Sequence, residues 1–248
     1  KEPLSEDLVL VIHKLITEGT LDDPSAAGRL REPDDGPVVV TNESGSITYN
    51  PPAAEDLISR MAEMCDFANA KSPNMFVHPV IRSIILHFWL AHDHPFVDGN
   101  GRTARALFYW SMLHHGFWLF EFISISQIIL KGPAKYARAF LYTETDDNDL
   151  TYFILYHLDI IMRAIIALQD YIKRKTRRLR AVRAQLISAR INHRQRALLS
   201  HALRHPNHRY TITSHKISHN VTYQTARSDL LGLQSLGLLN GEKIRSSW

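Results

Sequence analysis

His94-Pro95-Phe96-Val97-Asp98-Gly99-Asn100-Gly101-Arg102-Thr103-Ala104-Arg105 links two apolar segments, and its reading decides the fold. Upstream, Ile81, Ile84, Ile85, Phe88 and Trp89 recur at helical spacing over residues 80–91. Downstream, residues 103–115 read as a second helix, ended by Gly116. Pro95 and the glycines make a tight connection, and Gly99-Asn100-Gly101 opens the second helix. A helix N-terminus carries unpaired N–H groups and partial positive charge, so it is a ready anion site. Glycines let a phosphate approach the backbone closely. Arg102 and Arg105, three apart, point toward one side of the first turn. Two guanidinium groups there suit a polyphosphate better than a single carboxylate. Arginine in a first turn opposes the helix dipole, a conflict that a bound anion relieves.

Asp98 adds a hard oxygen ligand beside that site, and Mg²⁺ takes one or two protein carboxylates and completes its shell with phosphates and water. His94 is the one group in the loop that can accept a proton near neutral pH. Base, metal ligand, phosphate cradle and two cations in one short stretch point to phosphoryl or nucleotidyl transfer. Each residue also has a plainer reading. His94 could cap the preceding helix, Asp98-Gly99 and Asn100-Gly101 are ordinary turn dipeptides, and the arginines could form weak surface ion pairs. It is their combination at these spacings that favours chemistry. A zinc site built from His87, His92 and His94 is the rival, but the spacing is not HExxH and no cysteine lies nearby. Trp89, Phe108, Tyr109, Trp110, Phe117 and Trp118 read as core rather than as a cofactor box.

Working outward, Leu8, Leu10, Val11, Ile12, Leu15 and Ile16 mark a first helix ending before Gly19. Val38-Val39-Val40-Thr41 and Ile47-Thr48-Tyr49 flank a Gly-containing turn and read as a β-hairpin. Pro52 is expected early in a helix carrying Leu57, Ile58, Met61, Met64 and Phe67. Further helices are expected at 136–143 and 150–174, with the basic run to 190 able to continue the last one.

The 248 residues allow one large or two modest domains, and 45% apolar with 22% charged residues excludes a disordered or fibrous chain. One cysteine, Cys65, excludes an internal disulfide framework and fits a reducing compartment. No run reaches 18 consecutive apolar residues, and residues 1–7 are too polar for a signal peptide. A cytoplasmic protein with no membrane partner is therefore expected. The chain starts at Lys1 rather than Met, which suggests a missing upstream part. The formal net charge of +4 hides a split: residues 1–170 hold 13 Lys and Arg against 23 Asp and Glu, whereas residues 171–248 hold 16 against 2. Such a basic end suits nucleic acid, with a solvated basic helix as the plainer alternative.

The central stretch resembles the Fic family signature, HPFx(D/E)GNGRxxR, at every specified position. Ile12-His13-Lys14-Leu15 resembles the family's first core helix, and residues 38–49 with Pro51-Pro52 resemble its β-hairpin flap. His78-Pro79-Val80-Ile81-Arg82 and Leu86-His87-Phe88 resemble the helix before the motif, and Lys135-Tyr136 with residues 143–149 resemble a segment bordering the nucleotide pocket. The likeness covers about residues 4–175. It implies AMP transfer from ATP to a Ser, Thr or Tyr hydroxyl of a target protein, with release of pyrophosphate. His94 would be the base, and Asp98 would hold Mg²⁺. Gly99, Asn100 and Gly101 would form the anion hole with the Asn100 side chain. Arg102 and Arg105 would take the β- and γ-phosphates, and Thr103, Ala104 and Tyr136 would complete the ATP site. The flap residues Val38, Val39, Val40 and Thr41 would add a target segment as an extra strand. Many members carry an inhibitory (S/T)xxxE(G/N) helix. Glu18-Gly19 lacks the Ser or Thr and sits in the first helix, so Glu18 reads as structural and any inhibitory helix is expected upstream of Lys1.

The end of the chain reads as helices at 197–203, 214–220 (anchored by Ile217) and 222–236, then a strand at Gly237-Leu238-Leu239. This order resembles a winged helix-turn-helix, which often follows the core in related bacterial proteins. Its third helix would present Thr222, Tyr223, Gln224, Arg227 and Ser228 to a DNA groove. A protein-docking module is the alternative. The expectation is a mainly α chain: a Fic-type core with a hairpin flap at 1–175, a basic linker at 176–190, and a winged helix at 191–248. The leading function is protein adenylyltransferase. Against it stand a DNA-binding regulator with a nucleotide-sensing Fic core and transfer of another phosphate-containing group. Whether the chain forms a homodimer stays open.

Overall fold

The computed structural model describes residues 2–36, 38–41, 47–188, 191–205 and 207–242. The chain forms two compact units, 1–170 and 171–248. The division falls five residues before the boundary expected from the resemblance and coincides with the switch in charge.

The first unit is built on a helical hairpin. α3 (Pro79–Asp93) starts on a His78 cap with Pro79 in its first turn, and α4 (Asn100–His114) packs against it. Both helices are buried on two sides. Ile84 and Phe88 of α3 join Phe108 and Met112 of α4 in one core, with Phe153 and Ile160 of α7 (Thr151–Ser188). Leu86 and Leu90 join Ala104 and Leu107 in another, with Val9 of α1 (Glu6–Thr17) and Met61 and Met64 of α2 (Leu57–Ala68). Each fully buried side chain of this size is worth about 1.5–3 kcal/mol, so the hairpin is held from both sides and its tip, residues 94–99, is fixed in space. α5 (Ile125–Ile129) and α6 (Pro133–Thr145) complete the first core.

Val40–Thr41 (β1) and Ile47–Tyr49 (β2) pair antiparallel with an irregular register, Val40 opposite Tyr49 and Thr41 opposite Ile47. Val38 and Val39 are not in the ladder, and the expected turn at 42–46 lies outside the described residues. Pro52 precedes a short 3-10 turn rather than entering α2, and its carbonyl accepts a hydrogen bond from Arg31. Ile58 is exposed, because the α2 stripe turns on Leu57, Met61 and Met64 instead. Trp118, expected in the core, is 66% exposed.

α7 is one helix through most of the basic run, as its good helix formers suggest. By length and composition alone Thr151–Ala181 is apolar enough to cross a membrane, which the count of consecutive apolar residues did not register. Phe153, Ile160, Ile161 and Ala164 instead pack into the first core.

The second unit also contains α8 (His193–Arg204), α9 (Ile212–His219) and α10 (Tyr223–Ser235), around Ile191, Leu198, Leu199 and Leu233. Thr222 caps α10 by accepting the Thr225 N–H at 3.2 Å, as expected. Two expectations fail. Ile217 is 73% exposed; the buried anchor of α9 is His215, bonded to Asp229. Residues 237–239 form no strand. Gly237 takes φ +69° and donates to Gln234 O, while Leu238 donates to Leu233 O, so these residues close α10 as a Schellman turn. The turn tucks Leu238 against Leu233, and no wing is present among the described residues.

Candidate active site

His94 ends α3 in the left-handed region (φ +47°, ψ +54°), a position that helix ends usually give to glycine. Several contacts hold it there. Its N–H donates to Leu90 O at 3.0 Å, and its carbonyl accepts from Arg31 Nε at 2.9 Å. The Arg31 N–H also donates to Pro95 O at 2.9 Å. The ring nitrogen Nδ1 lies 3.0 Å from Ala91 O, which can only accept, so Nδ1 carries the proton and Nε2 keeps its lone pair. Burial pushes the imidazole below its ordinary value, and the Arg31 charge adds to this against the Ala91 bond and Asp98. His94 is therefore a neutral base at neutral pH, with its basic nitrogen already selected.

The loop that follows is tied to itself and to α1. Asn100 is buried, its Oδ1 accepting from Phe96 N at 2.9 Å and its Nδ2 donating to Phe96 O at 2.7 Å. The side chain thus pins the loop at both of its polar ends. Phe96 is fully buried and stacks on His13, ring centroids 3.7 Å apart. His13 Nδ1 accepts from Gly28 N at 3.0 Å, which leaves Nε2–H to donate to Asp98 O at 3.0 Å. Nothing in the spacing of the sequence singles out His13, 85 residues from the carbonyl it holds.

Thr103 and Ala104 are fully buried, the Thr103 hydroxyl donating to Gly99 O at 2.9 Å and Ala104 lying in the second core. Both side chains are turned into the protein interior. Arg102 is on the open side, donating to Asp98 Oδ2 at 2.9 Å and to the Thr20 hydroxyl. Asp98 Oδ1 accepts from Gly99 N at 2.5 Å, and the Asp98 side chain is 63% exposed. The first-turn amides of α4 beyond Gly99 have no acceptor within the helix. Arg105 is half-buried, and its Nη1 lies close enough to Gly101 that a Cβ built there would meet it at 3.4 Å. Tyr136, expected at the nucleotide, turns its hydroxyl to His87 Nε2 at 3.0 Å.

The single exposed carboxylate of Asp98 has the chemistry to hold Mg²⁺ brought with a nucleotide, were it to exchange its Arg102 partner. The zinc alternative fails on geometry. His87 bonds Tyr136, His92 bonds Tyr49 at 2.8 Å, and His94 bonds Ala91. Among the described residues no three potential ligands come together as a metal site. Glu18 is exposed at the end of α1.

Residues 3–112, which hold every element of this loop and its supports, match the family model described as Fic/DOC family. The chain is similar to that family over this segment. It is 34% identical over 114 residues to "Protein adenylyltransferase fic-1" of Caenorhabditis briggsae, covering 46% of this chain and 20% of that protein. It is also 34% identical over 116 residues to "Protein adenylyltransferase Fic" of Nematostella vectensis, covering 47% of this chain and 24% of that protein. The chain thus spans about a fifth to a quarter of the length of these relatives. Among solved structures, a Fic family protein from Desulfovibrio desulfuricans G20 matches 93% of this chain and 62% of that chain, with TM-score 0.60 and 20% identity. That likeness shows the fold alone. Fic-1 from Caenorhabditis elegans matches 70% of this chain and 44% of that chain, with TM-score 0.50 and 25% identity.

Proposed function

We propose that this chain transfers AMP from ATP to a Ser, Thr or Tyr hydroxyl of a target protein and releases pyrophosphate. The observation that carries the reading is the His94 ring, with Nδ1 committed to Ala91 O and Nε2 left as a base, on the loop that opens α4. The relatives named protein adenylyltransferase support it.

In this reading ATP lies along the loop with its phosphates over the first turn of α4. Amides of that turn and the guanidinium groups of Arg102 and Arg105 neutralise the phosphate charge, which is what transfer at phosphorus chiefly needs. Arg102 leaves Asp98 and Thr20 for the phosphates, and Asp98 is then free to hold Mg²⁺. When bound, Mg²⁺ withdraws charge from the phosphate oxygens. His94 Nε2 takes the proton of the target hydroxyl as its oxygen bonds to the α-phosphorus and pyrophosphate leaves. The nucleoside end fits a cleft of about 500 Å³ lined by Tyr49, His92, Leu141, Glu144 and Thr145. Burial raises the Glu144 carboxyl there, which favours hydrogen bonding to a neutral base over a buried charge. The extended stretch Val38, Val39, Val40 and Thr41 offers backbone pairing to a target segment. A reducing, cytoplasmic setting belongs to the same reading.

A second activity is favoured by one observation. Residues 171–248 carry 16 Lys and Arg against 2 Asp and Glu, and Tyr223, Gln224 and Arg227 are exposed together on α10. We therefore propose DNA as a partner of the second unit.

Two labels test the main reading. Incubation of the chain with a lysate and ATP labelled at the α-phosphorus should label target proteins, while γ-label should leave as pyrophosphate. Incorporation of γ-label would instead mean phosphoryl transfer. Labelling by neither would remove the enzyme reading and favour a nucleotide sensor.

A further inference from the structure

His94 sits in a conformation that its own chemistry and its neighbour in sequence oppose. Its Cβ disfavours the left-handed region (φ +47°, ψ +54°), and Pro95 pushes the residue before it toward extended backbone. Contacts from elsewhere in the fold must hold it, and Arg31 supplies them. The Arg31 Nε donates to His94 O at 2.9 Å, its Nη2 donates to Pro52 O, and its own N–H donates to Pro95 O at 2.9 Å. We propose that Arg31 is a positioning residue for the base: one edge of its guanidinium holds His94 in the left-handed conformation and fixes the exit of the hairpin relative to it. The proposal rests on the reading of His94 as the base for a target hydroxyl, and it places Arg31 on the target side of the reaction rather than the nucleotide side.

Two bonds bracket the His94 backbone. Its N–H donates to Leu90 O at 3.0 Å, which continues α3, and its carbonyl is gripped by Arg31. A turn to extended backbone would swing that carbonyl off Nε and carry the ring away from Ala91 O, to which Nδ1 donates at 3.0 Å. The grip on the backbone thus selects the tautomer that leaves Nε2 basic. The same edge of the guanidinium, Nε with Nη2, also reaches Pro52, three residues beyond β2. A second tie runs beside it: the Tyr49 hydroxyl of β2 lies 2.8 Å from His92 Nε2, two residues before the base. The end of the hairpin and the end of α3 are therefore joined twice. Arg31 is 8% exposed, and among the described residues its side chain bonds only these two carbonyls. Burial works against its charge, offset by attraction to Asp93 and Glu55. Arg60 shows the contrast, since it pairs directly with the Asp93 carboxylate at 2.6 Å. A buried guanidinium bonded to carbonyls alone is an expensive way to gain stability. A rigid planar fork is, however, what holding two carbonyls at a fixed separation needs.

Arg31→Lys tests this, because it keeps the charge and loses the fork. On the full chain, AMP transfer to a target, Mg·ATP affinity by calorimetry and the His94 ring by nitrogen NMR would be measured together. Transfer, as kcat/KM for the target, should fall about 10²-fold, the effect of a reacting group displaced by about 1 Å, with ATP affinity within about twofold of the parent chain. In the nucleotide-free protein the His94 ring should pass from a single tautomer, protonated on Nδ1, to a mixture of both. Arg31→Ala gives a second arm. Added guanidinium ion should restore part of its transfer and the single tautomer, whereas methylammonium, which has the charge without the fork, should restore neither. A parent-like rate or a single Nδ1–H tautomer in Arg31→Lys would overturn the proposal. So would equal losses in ATP affinity and transfer, which would mean general loosening of the unit, or equal rescue by methylammonium. If the parent chain transfers nothing, the functional reading falls while the tautomer comparison still decides the positioning role.

Discussion

Gly99 shows how little freedom the loop has. It holds φ +85°, and a Cβ added there would lie 2.6 Å from Thr17 Cγ2 and 3.0 Å from His13 Nε2. Gly99→Ala therefore adds left-handed strain and pushes on the histidine that anchors Asp98 O. We expect a loss of about 1–3 kcal/mol in the stability of the first unit, read by thermal melting, together with loss of transfer. His94 gives a second expectation at this scale. A base must be neutral, and burial holds this imidazole below its ordinary value of 6.5. Lowering the pH protonates it only below that point. The acid limb of kcat/KM should then lie under pH 6.5, and a limb centred above 7 would contradict the assignment.

Among the elements, α10 depends on one carboxylate. Asp229 accepts from Asn192 Nδ2 at 2.6 Å, from Arg194 Nε at 2.7 Å and from His215 Nε2 at 3.2 Å, tying α8 and α9 to α10. Burial alone would raise its pKa, but these bonds and the Arg194 charge outweigh it and bring the carboxyl down to about 2. A lowered folded value means that the stabilisation is complete above the ordinary value of 3.8 and is lost as the pH falls through about 2. Asp229→Asn should weaken α8–α10 by roughly 2 kcal/mol at neutral pH and flatten that acid step, as read by hydrogen exchange of residues 193–235. This carboxylate also explains what the sequence concealed. Apolar periodicity revealed α1, α3, α4 and α10, because their cores are apolar. It chose Ile217 for α9, whose buried residue is polar His215, and it took the Schellman turn at Gly237-Leu238 for a strand. The motif loop was legible from His94 to Arg105, but the inward turn of Asn100, Thr103 and Ala104 was not. Which way a side chain faces depends on partners such as Phe96 O and Gly99 O, set by the fold rather than by residue type. His13 and Arg31 were missed for the same reason.

At the scale of the whole molecule, the charge divides at the same residue as the two units. If the second unit meets DNA through this charge, affinity should fall with salt at a log–log slope of about −0.9 per phosphate contacted. Arg227→Ala should then lose sequence preference more than total affinity, whereas changes among Lys173, Arg174 and Lys175 should weaken all duplexes alike. Absence of binding at low salt in a fluorescence titration would make this unit a protein-docking module and leave the first unit's chemistry untouched. The central claim, that His94 serves the target hydroxyl and not the nucleotide, is tested most directly by His94→Ala. Mg·ATP affinity by calorimetry and AMP transfer by α-label would be measured on the same preparation. The account predicts transfer reduced by at least about 10²-fold with ATP affinity within about twofold of the parent chain. Parallel losses in affinity and transfer, or transfer that survives, would contradict it.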